Sequence, residues 1–393
     1  MLHPDMGCNM VQITARDATN GEPVKVTIDR GCIAGIEPAG ELGRRWVAPA
    51  LIDLQVNGYK GFDFNDSAPN PEKAAGAIFA LREAGVGLCY PTVTTGGFGH
   101  LRRALGAVAG ACRQDPWVRR AVGGIHLEGP YISPVDGPRG AHPPQHVRPP
   151  DWDEFQYLQE SAEGMIRLVT LAPELPGAVS MIERLVEQGI VVALGHHAAG
   201  AADIDAAVRA GGRFCTHLGN GAHAQIPRHP NYIWEQLGDD RLQASFIVDG
   251  HHLPPSVVRC MLRAKGTERS VLVSDAIFLA GMPPGVAEFM GLHVELTPER
   301  RVNLVGTPYL AGSALQLCEG VGKAIQFAGL SLGDAVAMAT RNPARLMGID
   351  DRWGCLAVGR EADLMLFSWD DERGITMETL LARGDVVWGK AIS

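Results

Sequence analysis

An alternation of short apolar runs with helix-patterned segments, repeated eight times, constrains this chain more than any other feature of its sequence. The runs are VAPALIDLQVN, GLCYPTVTT, AVGGIHLEG, IRLVTLAP, GIVVALGHH, RFCTHLG, QASFIVDGHH and SVLVSDA, and each reads as a strand. Between them lie PEKAAGAIFALREAG, HLRRALGAVAGACRQ, DWDEFQYLQESA, AVSMIERLVEQG, ADIDAAVRAGG and PPSVVRCMLRAKG. These carry apolar residues at helical spacing and often end in Gly. NYIWEQLGDD is a shorter helix candidate after the sixth run, and GSALQLCEGVGKAIQFAG closes the eighth unit. Eight strand–helix units in about 300 residues fit a (β/α)8 barrel better than an open sheet.

The two ends read differently. QITARD, VKVTID and CIAGIEP at the start, and GCLAVGREADLMLF and GDVVWGKAI at the end, are strand-like segments broken by turn residues. The expected organisation is α/β: a small β-sandwich domain from residues 1–48 and 352–393, around a catalytic barrel domain of residues 49–351.

Composition removes several function classes. The 393 residues carry a formal net charge of −9, which lacks the overall basic field of a nucleic-acid binder. No stretch approaches the ~20 apolar residues of a membrane helix. MLHPDMGCNM has no basic region followed by an apolar core, so no secretory signal is expected. The eight cysteines form no CxxC pair and read as reduced core residues of a cytoplasmic protein.

The polar residues fall where barrel chemistry would need them. Run three ends in His126-Leu127-Glu128-Gly129-Pro130, run five in Gly195-His196-His197 and run six in Thr216-His217-Leu218. Run seven leads into Asp249-Gly250-His251-His252, and run eight ends in Ser274-Asp275-Ala276. In a barrel these ends meet at one mouth, where active sites lie. Glu128, His196 and His217 supply one carboxylate and two imidazoles, a set suited to a divalent metal with a position left open for water. Such a metal lowers the pKa of water toward ~7. Asp275 is then the candidate general base, taking the water's proton and delivering it to a leaving amine. A single His or Glu at a strand end is commonly a hydrogen-bonded or capping residue, but four ends carrying such groups together are hard to explain as caps.

The same residues resemble those of N-acetylglucosamine-6-phosphate deacetylases, within the amidohydrolase superfamily. His126–Pro130 looks like their HLEGP signature, Gly195-His196 like their GHS turn, and Thr216-His217-Leu218-Gly219-Asn220 like THLxN. Asp249–His252 fits DGxH and Ser274–Ala276 fits TDA, with Leu310–Ser313 and Asn342–Ala344 matching later segments in the same order. The resemblance implies metal-dependent release of acetate from N-acetylglucosamine 6-phosphate. It implies metal ligands Glu128, His196 and His217, Asp275 as base and acid, and His142 polarising the acetamide oxygen. For the phosphate it implies Asn220, Gly221, Arg228 and His252, and a homodimer that can carry the Arg across an interface.

Gln55 and Asn57 stand where many amidohydrolases have a metal-binding HxH pair, so one metal per subunit is expected, zinc first, with Fe, Mn and Co also compatible. Leu171–Glu174 holds no bridging lysine, against the dihydroorotase and hydantoinase branch. The chain departs from the family at His197-Ala198, at Gly221-Ala222, in the loop AHAQIPRHPNYIW and at the apolar Ile277-Phe278-Leu279. The roles of His197, His223, His229 and His251 stay open. So do a different N-acyl substrate and a catalytically silent barrel, although no ligand-type residue is missing.

Overall fold

The computed structural model describes residues 10–40, 44–289, 292–307 and 309–392. Along the chain, β1 (Val11–Asp17), β2 (Pro23–Asp29), β3 (Cys32–Pro38) and β4 (Arg45–Pro49) come first. Strand β5 (Leu51–Val56) starts the central sheet, and a hairpin of β6 (Gly58–Tyr59) and β7 (Phe62–Asp63) follows it. The sheet continues with β8 (Val86–Thr94), β9 (Ile125–Glu128), β10 (Ile166–Leu171), β11 (Val191–Leu194), β12 (Phe214–Cys215), β13 (Gln243–Phe246) and β14 (Ser270–Leu272).

All eight central strands are parallel and pair in chain order from β5 to β14, as the alternation predicts. The ring closes near its C-terminal end, where Asp275 N donates to Gln55 O at 2.9 Å and Val56 bridges Ala276. Helices lie where the apolar spacing put them, including Phe98–Gln114, Trp152–Ser161, Ala178–Glu187 and Pro255–Lys265. Their starts follow local rules. Asn70 accepts from Lys73 N ahead of a helix with Pro71 at its first position, and Asp151 accepts from Glu154 N.

Side-chain alternation divides the strands. In β9, Ile125 and Leu127 pack outward among the helices, leaving His126 and Glu128 on the inner face. In β10 and β11, Val169, Leu171, Val192 and Leu194 pack outward, and Leu168, Val191 and Ala193 pack inward with Phe214. Inside the barrel an apolar layer with Leu168, Ala193 and Phe214 is therefore followed, one step toward the mouth, by a layer containing His126, Thr170 and Thr216. That layer is hydrogen-bonded throughout. His126 Nδ1 donates to Leu54 O at 3.1 Å, Thr170 donates to His126 Nε2 at 2.7 Å, and Thr216 donates to Thr170 at 2.6 Å. Gly195 occupies the same level: a Cβ there would lie 2.8 Å from both Thr170 Cγ2 and Thr216 Cβ.

Two elements were not legible in the sequence. After β14, a three-stranded antiparallel sheet of β15 (Gly285–Phe289), β16 (Leu292–Leu296) and β17 (Val302–Leu304) precedes the closing helix Leu317–Ala328. The terminal strands are β18 (Leu364–Asp370), β19 (Gly374–Ala382) and β20 (Asp385–Gly389), of which β19 was not anticipated. Both ends of the chain meet in one seven-stranded sheet ordered β20-β19-β18-β4-β1-β2-β3. Arg120, on the barrel helix Pro116–Ala121, pairs with Glu361 and Asp363 just before β18 and ties the two parts together. Of the described cysteines, four are buried and Cys260 is exposed; Cys8 lies outside the described residues. Among the described residues no helix is long and apolar enough to cross a membrane.

Candidate active site

The C-terminal ends of the strands bring Glu128, His196 and His217 together, all buried, with one donor atom of each within 4.8 Å of the others. Glu128 Oε1 lies 3.1 Å from His217 Nε2 and 3.3 Å from His196 Nε2, and the two Nε2 atoms are 3.1 Å apart. Desolvation opposes the charge on Glu128, yet the adjoining His196 and His217 imidazoles hold its carboxyl well below the usual range. The donor set fits a metal on two counts. His196 Nδ1 donates to Pro138 O at 2.9 Å, which leaves the Nε2 lone pair facing its neighbours. Two imidazole nitrogens and a carboxylate converging in a buried space are moreover a cation's ligands.

The backbone is strained at this point. His196, His217 and Asp275 all adopt positive φ, at 52°, 30° and 48°. The left-handed conformation is costly for residues with a Cβ and concentrates at functional sites.

Asp275 lies near Glu128, and the Gln55 amide links the two carboxylates. Gln55 Nε2 donates to Glu128 Oε1 at 2.8 Å and to Asp275 Oδ1 at 3.3 Å, and Asn57 Nδ2 donates to Asp275 Oδ1 at 2.7 Å. Burial, followed by the charge of Glu128, raises the Asp275 pKa above the usual carboxylate range. The sequence marked Gln55 and Asn57 as poor metal ligands but did not show that Gln55 bridges two carboxylates and that both amides hold Asp275; their spacing on one strand was the available signal.

Asn57, Glu128, His196, His217 and Asp275 line a cavity of about 710 Å³, along with His142, Asn220, Gly221 and His252. The His142 ring meets that of His196 edge-on at 4.4 Å, and its Nδ1 lies 2.8 Å from Thr95 Oγ1. Burial, then the neighbouring His196, push the His142 imidazole down to about 3, so it is neutral at neutral pH. His252 Nδ1 donates to Asp249 Oδ2 at 2.7 Å. Burial opposes the Asp249 charge, but that hydrogen bond prevails and holds the carboxyl at about 2. Asn220 closes a turn onto His217 O.

Arg228 is the exception among the sequence-selected residues: it lies exposed on its loop and is not part of the cavity wall. The histidines left open sort themselves. His197 is buried and packs on Tyr232 at 5.3 Å, with burial pushing it down to about 4. His223 lines the cavity with its Nδ1 3.0 Å from the Tyr232 hydroxyl, and His229 is exposed. His251 Nε2 donates to Glu299 O at 3.0 Å. The unmatched loop also gains an account, because Asn231 caps the helix Tyr232–Gly238 by accepting from Ile233 N and Trp234 N. Cavity residues that sequence reasoning missed include Arg301 and Tyr309, both beyond the unanticipated sheet's second strand.

Comparison with known proteins agrees with this geometry. Residues 46–382 match the amidohydrolase family. The chain is similar to an N-acetylgalactosamine-6-phosphate deacetylase of Escherichia coli O157:H7, 35% identical over 87% of this chain and 89% of the relative. It is also similar to an N-acetylglucosamine-6-phosphate deacetylase of Bacillus subtilis (strain 168), 32% identical over 86% and 84%. Among solved structures, the N-acetyl-D-glucosamine-6-phosphate deacetylase of Mycobacterium smegmatis superposes with a TM-score of 0.87 at 29% identity, over 96% of this chain and all of that one.

Proposed function

The chain belongs to the amidohydrolase family, and on that premise we propose that it hydrolyses the acetamide of N-acetylglucosamine 6-phosphate to glucosamine 6-phosphate and acetate. The observation that carries this reading is the convergence of Glu128, His196 and His217 beside Asp275 in one buried cavity. In this proposal those three residues hold one divalent metal, zinc by choice of donor set. When bound, the metal polarises the amide carbonyl and makes water a better nucleophile at neutral pH.

The chain's own residues do the rest. Asp275 takes a proton from the attacking water as the new C–O bond forms, and passes it to the nitrogen as the C–N bond breaks. Its raised pKa suits both halves of that transfer. His142, kept neutral by burial, donates a hydrogen bond to the acetamide oxygen as negative charge develops there. Gln55 and Asn57 fix Asp275 in position. Asn220, Gly221 and His252 take the phosphate end of the sugar, and Arg228 joins them from the second subunit of a cytoplasmic homodimer.

A second reading concerns one stereocentre. Relatives at 35% identity are named for N-acetylgalactosamine 6-phosphate, which differs at C4. The test is acetate release from both phosphosugars and from unphosphorylated N-acetylglucosamine, with metal-loaded and chelated protein. Metal-dependent release from the gluco phosphosugar supports the proposal, with one metal equivalent per chain. Faster release from the galacto epimer moves the assignment to it, and none from either leaves an amidohydrolase of another N-acyl substrate.

A further inference from the structure

A substrate that carries a phosphate dianion needs a compensating cation, and this cavity is short of them. Its wall includes the carboxylates Glu128, Asp136 and Asp275. Arg228 is outside the wall. Among the described residues, Arg301 is the one Lys or Arg side chain that lines it. Arg301 comes from the segment between β16 and β17, in the sheet inserted after β14, so no strand-end motif pointed to it.

The turn that presents Arg301 is built to stay in place. Thr297 N donates to Arg301 O at 2.9 Å, and Arg300 N donates back to Thr297 O at 3.0 Å. Arg300 takes a φ of 65° at the tip. Its guanidinium donates to Met282 O at 3.0 Å and to Ala314 O at 3.1 Å, which pins the turn to the segments before and after the inserted sheet. From the other side, His251 Nε2 donates to Glu299 O at 3.0 Å. His251 precedes His252, whose backbone N–H, like that of His251, donates to Asp249 Oδ1 at 2.8 Å. One loop thus holds both His252 and, through Glu299, the Arg301 turn.

We propose that Arg301 binds the phosphate of the substrate in cis, acting with His252 on the same side of the cavity. This rests on the phosphosugar reading above and adds a cation that the reading lacked within one subunit. A guanidinium offers a planar fork to two phosphate oxygens, and such charge-assisted bonds are the strong ones in recognition. It also gives the inserted sheet a task, since it brings to the cavity wall a charge that no described barrel-loop Lys or Arg of the same subunit brings there.

Binding of glucose 6-phosphate and of glucose to the metal-loaded protein, followed by calorimetry, tests this without any amide to cleave. Arg301→Met is expected to weaken glucose 6-phosphate binding by about 10- to 100-fold, the range of a lost charged hydrogen bond. Arg301→Lys, which keeps the charge without the fork, should lose less and guards against a folding defect. With N-acetylglucosamine 6-phosphate the Met variant should show its loss chiefly in KM, not kcat. Unchanged glucose 6-phosphate affinity in both variants overturns the proposal, whatever Arg228→Ala does, and so does a wild-type protein that fails to distinguish glucose 6-phosphate from glucose. The two readings fail separately: tight, Arg301-dependent phosphosugar binding without acetate release refutes the deacetylase assignment alone.

Discussion

Replacing Asn57 by Ala removes the shortest hydrogen bond to the proposed base and should move the acid side of the pH–rate profile. Asn57 Nδ2 donates to Asp275 Oδ1 at 2.7 Å, and this bond favours the charged carboxylate while burial and Glu128 oppose it. A hydrogen bond to a charged group contributes roughly 1.5–3 kcal/mol, and a pKa unit corresponds to about 1.4 kcal/mol. Full loss would raise the Asp275 pKa by about one to two units. Gln55 Nε2 remains within 3.3 Å, so the lower figure, about one unit, is expected. Because the base must be deprotonated in the free enzyme, the acid limb of kcat/KM should shift upward by that amount while the alkaline limb stays. The assay is kcat/KM from about pH 5 to about pH 9 on variant and wild type with equal metal content. Asn57→Asp, which adds a third carboxylate, should shift the limb further in the same direction. An acid limb that stays put, or moves down, would refute the assignment of Asp275 as the titrating base.

Asp275→Asn should keep its metal by elemental analysis and lose about 10²- to 10⁴-fold in kcat, the usual share of acid–base catalysis; retained turnover would remove Asp275 from the mechanism. Gly195→Ala would place a methyl 2.8 Å from Thr170 and Thr216 inside the barrel. Overpacking of that kind costs about 1–3 kcal/mol, so a drop of several degrees in Tm is expected and an unchanged Tm would show that the layer yields freely. Burial pushes Asp53 up to about 7, above its unfolded value, so its contribution to stability is present at low pH and is lost as pH rises through about 7. Asp53→Asn should therefore flatten the fall of denaturant stability between about pH 4 and about pH 7, and a slope equal to wild type would count against a buried proton there.

The barrel was legible because parallel strands covered on both sides are uniformly apolar, and the helices between them keep a 3.6-residue period. Each of the eight runs named from the sequence overlaps one central strand, and seven contain theirs whole. Glu128, His196, His217 and Asp275 stood out for a related reason: a polar residue directly after an apolar run has few uses other than chemistry or capping. What escaped was set by contacts distant in sequence. β15 to β17 are only three to five residues long and sit between the last barrel strand and the closing helix, so the segment read as a connection. His126 belongs to the same strand-end motif as Glu128, yet Leu54 O and Thr170 satisfy both its nitrogens. Nothing local shows that a strand-end histidine faces one layer below Glu128. Arg301 was invisible for the same reason, since only the fold of the inserted sheet brings it to the cavity.

The arrangement of the terminal sheet also bears on how the protein is made. β4 hydrogen-bonds to β1 on one side and to β18 on the other, and β18 follows the entire barrel in sequence. At ordinary translation rates the ribosome needs roughly a quarter-minute to a minute to pass from β4 to β18. Throughout that interval the nascent chain displays an open strand edge at Arg45–Pro49, the kind of surface that recruits foreign strands. The barrel emerges while that edge waits, so chaperone demand should peak before the last strands appear, and a premature stop ahead of β18 would yield a nearly complete barrel that aggregates through its first strands.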